Sequence, residues 1–139
     1  SGTLGERLRK EVNLQGLSVR FLDNVPHRKL PEILNSAAAF VLPSFYEGHP
    51  KALLEAMACG LPVIGTDVPG IREVIRHRET GILCDTSPNE IRAAIREILN
   101  DAELGVRIGR NAREFVVEQF ALEKVVKMEL AVLEGVLSE

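Results

Sequence analysis

The sequence predicts an α/β fold in which a Rossmann-like parallel sheet of about four strands is flanked by helices. Short apolar runs that end near Leu22, Leu42, Gly65 and Cys84 alternate with segments of helical periodicity. This alternation is typical of repeated βα units around a parallel sheet. The chain has 139 residues, 45% of them hydrophobic, which is enough for one core, so we expect a single domain over residues 1–139.

The first part of the chain is predicted to form one helix and two strands. Leu4 and Leu8 lie on one face of the helix. Residues 19–22 and 37–42 are the two strands, and the second is an apolar run bounded by Pro43, which fits a buried strand of a parallel sheet that ends there.

A loop and a helix are predicted after the second strand. Gly48 permits close approach of the backbone, and Pro50 suits the first helical position because the missing N–H would be unpaired there in any case. The helix is expected to run to about Cys59, where Gly60 and Pro62 stop it.

The remaining elements continue the alternation. Asp67 and Gly70 are expected to shape the start of a helix after the third strand. Ser87, followed by proline and glutamate, marks the start of the next helix after the fourth strand. Two further helices are predicted at about 102–119 and 122–137.

Two carboxylates surround the helix that follows the second strand. Backbone N–H groups near residues 49–52 should point outward from the carboxyl end of the sheet, where open α/β folds bind ligands. Glu47 precedes this helix and Glu55 lies one to two turns inside it, at about 1.5 Å rise per residue. A diphosphate at the helix start would then have a sugar hydrogen-bonded to one carboxylate and a ribose to the other.

A purely structural explanation of the two acids is equally open from these residues alone. Glu47 would complement the helix N-terminus, a contribution of about 0.3–1 kcal/mol. Glu55 would pair with Lys51 one turn earlier, for a few tenths of a kcal/mol.

The segment from Glu47 to Ile64 resembles the signature of retaining nucleotide-sugar glycosyltransferases of the GT-B fold. Seven residues separate Glu47 from Glu55, and the run EAMACGLPVI follows. Residues 19–25, 66–75 and 80–84 are similar to the family's base-binding loop, its next loop and helix, and its final strand. The resemblance extends over about residues 4–120.

The resemblance implies transfer of a hexose, with retention, from a nucleoside diphosphate sugar, UDP- or GDP-linked, with no cofactor or metal. It implies that Glu47 is the catalytic residue, which holds hydroxyls of the donor sugar, and that Glu55 holds the ribose. His49 would contact the donor through its backbone N–H. The other donor-binding positions that it implies are Val25, Gly48, Pro50, Lys51, Leu54 and Gly70.

The resemblance also implies that parts of such an enzyme are missing from this chain. The family's first two strands, with the basic residues that hold the diphosphate, would precede residue 1, as would the acceptor-binding N-terminal half. We therefore expect the isolated chain to be inactive. The two missing strands would leave a gap between residues 19–22 and 40–42, and we expect the chain either to close this gap or to fill it with another copy of itself in a swapped homodimer.

Composition and charge exclude several other classes of protein. The net charge is −3 and no basic tract is present, so we expect no nucleic-acid partner. The three histidines are scattered, which predicts no metal site. Cys59 and Cys84 lie in apolar contexts typical of buried thiols in a reducing compartment. We therefore expect a cytoplasmic protein whose parent enzyme could associate peripherally with a membrane.

Two alternatives remain open from the sequence. One is a non-catalytic nucleotide-binding or interaction module that requires a partner chain. The other keeps the fold and changes the reaction, to epimerisation of a nucleotide sugar or phosphorolysis of a glucan. Ser44 has no histidine and acid in a triad pattern and no G-x-S-x-G turn, which argues against a hydrolase.

Overall fold

The computed structural model describes the backbone of residues 3–138, together with their side chains other than those at 124, 125 and 136–138. The elements in chain order are α1 (Thr3–Gln15), a short 3₁₀ turn (His27–Lys29), α2 (Leu30–Asn35), β1 (Phe40–Leu42), α3 (Lys51–Ala58), β2 (Val63–Thr66), β3 (Ile82–Cys84), α4 (Pro88–Asn100) and α5 (Ala102–Ser138). The predicted α/β class with flanking helices is confirmed. The chain divides after Leu30 into two compact units, described separately here.

The first unit consists of α1 and an extended segment. Gly16 has a φ of +64°, a left-handed conformation that ends the helix. The guanidinium of Arg9 lies 4.7 Å from the centre of the Phe21 ring and 2.8 Å from the Asp23 carboxylate. These contacts hold the segment after α1 against the helix.

The predicted strand at residues 19–22 is wrong. This segment has no strand geometry, and Val19 and Leu22 are 52% and 48% exposed. A strand is stabilised by hydrogen bonds to a neighbouring strand, and the described part of this unit offers none. The first of the two strands that were expected to border the gap is therefore not formed. The swapped homodimer stays a prediction.

The second unit is built on a parallel sheet of three strands in the order β1-β2-β3, one strand fewer than expected. Phe40 pairs with Val63 and Leu42 with Gly65, so β1 ends one residue before the end of β2. Thr66, the last residue of β2, pairs with Cys84 at the end of β3. The carboxyl ends of all three strands therefore meet at one edge.

Helices α3, α4 and α5 supply the rest of the core. Strand residues Ile64 and Ile82 pack with residues of α4 and α5, namely Ala94, Ile98, Leu104 and Ile108. Helix α3 packs on β1, β2 and α5, and its Leu53 and Met57 are fully buried. The sheet is thus sandwiched by helices whose apolar faces follow the sequence periodicity.

The amino end of the sheet is packed through glycines. Gly60, with a φ of +74°, ends α3. A Cβ atom on Gly109 of α5 would lie 2.1 Å from the carbonyl oxygen of Gly60. Real Cβ atoms do not approach oxygen so closely, so glycine allows α5 to contact the end of α3.

Residues 67–75 form turns instead of the predicted helix. Gly70 has a φ of +94°, which interrupts helical geometry. The guanidinium of Arg72 bonds the Asp67 carboxylate at 2.7 Å and closes the turn. The side chain of Arg72 therefore forms its ion pair with a residue of the same loop.

The C-terminal region is also more regular than predicted. Helix α5 is continuous over 37 residues, where two helices were expected. Residues 110–134 contain neither glycine nor proline, so nothing in the chain interrupts the helical hydrogen bonds.

Candidate functional site

The loop at residues 43–50 carries the proposed catalytic acid from the end of β1 to the start of α3. The hydroxyl of Ser44 donates a hydrogen bond to Oε2 of Glu47 at 3.2 Å. The buried hydroxyl of Thr66, at the end of β2, donates to the carbonyl oxygen of Ser44. The hydrogen bond from Thr66 therefore holds the loop against the neighbouring strand. The hydrogen bond from Ser44 holds the side chain of Glu47, which is partly buried, within the loop.

A second loop at this edge packs on the same acid. A Cβ atom on Gly70 would lie 1.9 Å from the carbonyl oxygen of Glu47. Gly70 is buried and has a φ of +94°. The position therefore requires glycine for two reasons, because a side chain would clash with Glu47 and the backbone conformation disfavours other residues.

The start of α3 lies immediately beyond this loop. Its N-terminus has no side-chain cap, and the N–H of Lys51 bonds to the carbonyl of His49 at 2.8 Å. In the described part of the chain, the N–H groups of Ala52 and Leu53 have no hydrogen-bond acceptor. The N–H groups expected to face outward are therefore fewer than predicted, because Lys51 uses its own locally.

The acids on the two sides of this helix start differ in their support. Glu47 lies in the loop, whereas Glu55 is the fifth residue of α3, about 6 Å along the helix axis from Lys51. Both are partly buried. The proposed contacts of these acids with a donor stay predictions.

The other predicted donor-binding residues divide by location. Gly48, His49 and Lys51 are exposed around the helix start, while Leu54 is partly buried on α3. Pro50 is buried and occupies the cap position before α3 instead of the first helical position. Their contacts with a donor are untested.

Val25 belongs to the other compact unit. It is partly buried there, two residues before the 3₁₀ turn that begins at His27. Its contact with a base stays a prediction.

Sequence reasoning missed Ser44 and Thr66 as supports of the site. Their hydrogen bonds join a loop to a strand 22 residues later, which no local pattern reveals. Phe45 and Tyr46 were also not singled out, although their rings are 82% and 78% exposed beside Glu47. Two bulky aromatic residues directly after a strand end were the available signal.

Cys84 lies at the same edge of the sheet, at the end of β3. Burial raises the pKa of its thiol above the ordinary value of 9.0, and the carboxylates of Glu90 and Asp85 raise it further. Both cysteines are free, but they are only partly buried, which is less than the sequence predicted.

An open cavity of about 650 Å³ lies elsewhere, at the amino ends of β1 and β2. None of its lining residues belongs to the loop that carries Glu47. Among the described residues, no cluster of histidine, cysteine and acidic side chains could hold a metal ion, and no helix is long and apolar enough to cross a membrane.

Comparison with known proteins identifies the family. The family described as "Glycosyl transferases group 1" matches residues 1–115. The chain belongs to this family. The match includes the loop with Glu47 and all of α3, and it confirms the resemblance found in the sequence.

Individual glycosyltransferases agree with this assignment. N-acetyl-alpha-D-glucosaminyl L-malate synthase of Bacillus anthracis is 45% identical over 96 residues, which are 68% of this chain and 25% of that protein. Sucrose-phosphate synthase from Thermosynechococcus elongatus superposes with a TM-score of 0.85 at 30% identity, over 99% of this chain and 36% of that one. Anabaena Alr3699/HepE, solved in complex with UDP-glucose, shares the fold with a TM-score of 0.77 at 22% identity, over 94% of this chain and 36% of that one. This glycosyltransferase chain thus spans a quarter to about a third of the length of these proteins.

Proposed function

We propose that this chain is the donor-binding part of a glycosyltransferase that moves a hexose from a nucleoside diphosphate sugar to an acceptor, with retention at the anomeric carbon. Membership of the glycosyltransferase family supports sugar transfer. The donor is a UDP- or GDP-linked sugar, and the UDP-glucose in the structure of Anabaena HepE supports the first of these.

The arrangement of Glu47 beside the start of α3 carries this proposal. At the uncapped helix end, two N–H groups have no acceptor among the residues that the structure describes, and such groups attract anions together with the helix dipole. Glu47 lies four residues before the helix, within a loop held at the carboxyl edge of the sheet. Diphosphate binds at the helix end, and the sugar beyond it hydrogen-bonds to Glu47.

The chemistry follows from the charges. Negative charge accumulates on the diphosphate as the bond to the sugar breaks, and the helix N–H groups stabilise that charge. The carboxylate of Glu47 accepts hydrogen bonds from sugar hydroxyls and fixes the sugar relative to the leaving group. Glu55 accepts a hydrogen bond from the ribose. No metal ion or cofactor takes part in this scheme.

The chain alone supplies too little to catalyse transfer. A helix terminus contributes at most about 2 kcal/mol, whereas enzymes lower barriers by about 8–23 kcal/mol. The acceptor-binding half and the basic residues that hold the diphosphate therefore belong to the rest of the protein. The 139 residues alone bind nucleotide weakly and show no turnover.

Calorimetric titration of the whole protein with UDP-, GDP- and ADP-sugars tests the proposal. One of the three donors is expected to bind with much higher affinity than the others. Glu55→Ala and Glu47→Gln should each weaken that binding by about 10- to 100-fold, because a hydrogen bond to a charged group contributes about 1.5–3 kcal/mol.

Glu73→Gln is the matched control. Glu73 is an exposed acid in the turns at residues 67–75, so this variant removes a charge near the site without removing a proposed donor contact. Wild-type affinity in Glu55→Ala, with normal folding, would contradict the ribose assignment. Absence of binding by every nucleotide sugar would contradict the proposed function.

A further inference from the structure

We propose that Ser44 and Thr66 are positioning residues that hold the carboxylate of Glu47 in one orientation for the donor sugar. The inference deepens the proposed function and rests on it for the identity of the ligand. The hydrogen bonds themselves are properties of the chain and can be tested apart from any ligand.

Ser44 contacts the carboxylate directly. Its hydroxyl donates to Oε2 of Glu47 at 3.2 Å, and both side chains are partly buried. Among the described residues, Oε1 of Glu47 has no hydrogen-bond partner. One carboxylate oxygen is thus held by the protein, and the other remains available to accept a hydrogen bond from a hydroxyl of the sugar.

Thr66 fixes the backbone from which Ser44 projects. Its side chain is 1% exposed, and its hydroxyl donates to the carbonyl oxygen of Ser44 and lies 3.5 Å from that of Leu42. Because Thr66 is the last residue of β2, its hydrogen bond to Ser44 attaches the loop after β1 to the sheet and restricts the movement of that loop. A hydroxyl at this position has a buried acceptor to satisfy, which an apolar residue of similar size leaves unsatisfied.

The two contacts together restrict a side chain that is otherwise flexible. A glutamate has three rotatable side-chain bonds, and fixing it on ligand binding costs up to about 1.5–2 kcal/mol of rotamer entropy. When Ser44 orients the carboxylate before the ligand arrives, this cost is met during folding. The donor then binds a preorganised acceptor group.

Donor affinity in the whole protein tests the proposal. Ser44→Ala is expected to weaken nucleotide-sugar binding about tenfold, equivalent to ~1.4 kcal/mol, without lowering the midpoint of thermal unfolding. Ser44→Thr keeps the hydroxyl and should retain most of the affinity. Ser36→Ala, which also removes a hydroxyl bonded within the chain, serves as the control and should bind normally.

A double-mutant cycle separates positioning from a direct contact. If Ser44 acts only through Glu47, then Ser44→Ala should have little further effect in a Glu47→Gln background. Thr66→Val should weaken donor binding in the same non-additive way, while Thr66→Ser should retain it. Strictly additive effects of Ser44→Ala and Glu47→Gln would overturn the proposal.

Crystal structures of wild type and Ser44→Ala give a readout that needs no ligand. The Glu47 carboxylate should occupy one position in wild type and several in the variant. A carboxylate that stays in place in Ser44→Ala overturns the positioning inference, whatever the ligand is. A carboxylate that moves, in a protein that binds no nucleotide sugar, supports the inference and refutes the proposed function instead.

Discussion

The two ends of the parallel sheet are held together by different means. At the amino end, α5 contacts the end of α3 through the backbones of Gly109 and Gly60. At the carboxyl end, hydroxyls of Ser44 and Thr66 connect a loop, a strand and a carboxylate. The first end is a backbone contact that packs two helices together, whereas the second holds the partly buried side chain of Glu47 through a hydrogen bond.

Because the two ends differ in this way, we expect substitutions at one end to change the stability of the protein and substitutions at the other to change its affinity for the donor. Substitutions at the amino end should lower the free energy of unfolding and leave the affinity of the folded protein unchanged. Substitutions at the carboxyl end that alter the contacts of Glu47 should change affinity, with or without an effect on stability. Both kinds of variant can be measured in the same protein.

A large loss of stability is expected for Gly109→Ala. The new Cβ atom would lie 2.1 Å from the Gly60 carbonyl oxygen, so α5 must move away from α3. Overpacking of this kind costs about 1–3 kcal/mol or more in unfolding free energy, measured by urea denaturation. Gly135→Ala in the same helix is the control, because its Cβ meets nothing within 4 Å and should stabilise the helix by about 0.5–1 kcal/mol.

Gly70→Ala should lower both stability and donor affinity. The added Cβ would lie 1.9 Å from the Glu47 carbonyl oxygen, and a φ of +94° is strained for alanine. We expect a loss of about 1–3 kcal/mol in unfolding free energy and clearly weaker binding in calorimetric titration. Gly16→Ala also has positive φ but an unobstructed Cβ, so it isolates the strain. Unchanged affinity in a folded Gly70→Ala protein would break the proposed division between the two ends.

Ser87→Ala should affect stability alone, although α4 starts at the carboxyl edge. The hydroxyl of Ser87 accepts a hydrogen bond from the N–H of Glu90 at 3.3 Å and so caps α4. Loss of such a cap costs about 1 kcal/mol, measurable as a lower midpoint of denaturation. Weaker donor binding in this variant would mean that donor affinity depends on the whole carboxyl edge of the sheet. It would contradict the proposal that the start of α3 is the part of this edge that binds the donor.

The smallest effect is expected from Cys84, whose pKa is raised. Because the folded protein holds the proton more tightly than the unfolded chain, the thiol lowers stability as pH rises through and above 9.0. Alkylation of Cys84 by iodoacetamide, followed in a Cys59→Ala variant, should also accelerate at a higher pH than for a free cysteine. A rate profile centred below pH 9.0 would contradict the raised pKa.

Local signals predicted most of the second unit. Pro43 and Gly60 are stop signals that depend only on neighbouring residues, and β1 and α3 end where they indicate. The cap at Ser87 was predicted for the same reason and is confirmed by its hydrogen bond. Periodicity predicted helix in both parts of α5, at about 102–119 and 122–137, but it did not predict that the helix continues without a break through residues 120 and 121.

Features that depend on distant partners could not be predicted in this way. Residues 19–22 have the composition of a strand, but the described part of their own unit contains no strand to pair with them. The bond from Thr66 to Ser44 depends on how two strands pair, and the site residue Gly70 contacts Glu47 across two loops. The acids were found from their spacing, whereas the groups that orient one of them required the three-dimensional arrangement.

The pairing of Leu42 with Gly65 has a consequence for the tolerance of this protein to insertions and deletions. Thr66 follows Gly65 by one residue, so its hydroxyl reaches Ser44 only when β1 and β2 are aligned in this way. A shift of one residue would turn each side chain of β1 to the opposite face. One residue added to or removed from β1 should therefore abolish donor recognition while every residue of the loop and of α3 remains intact.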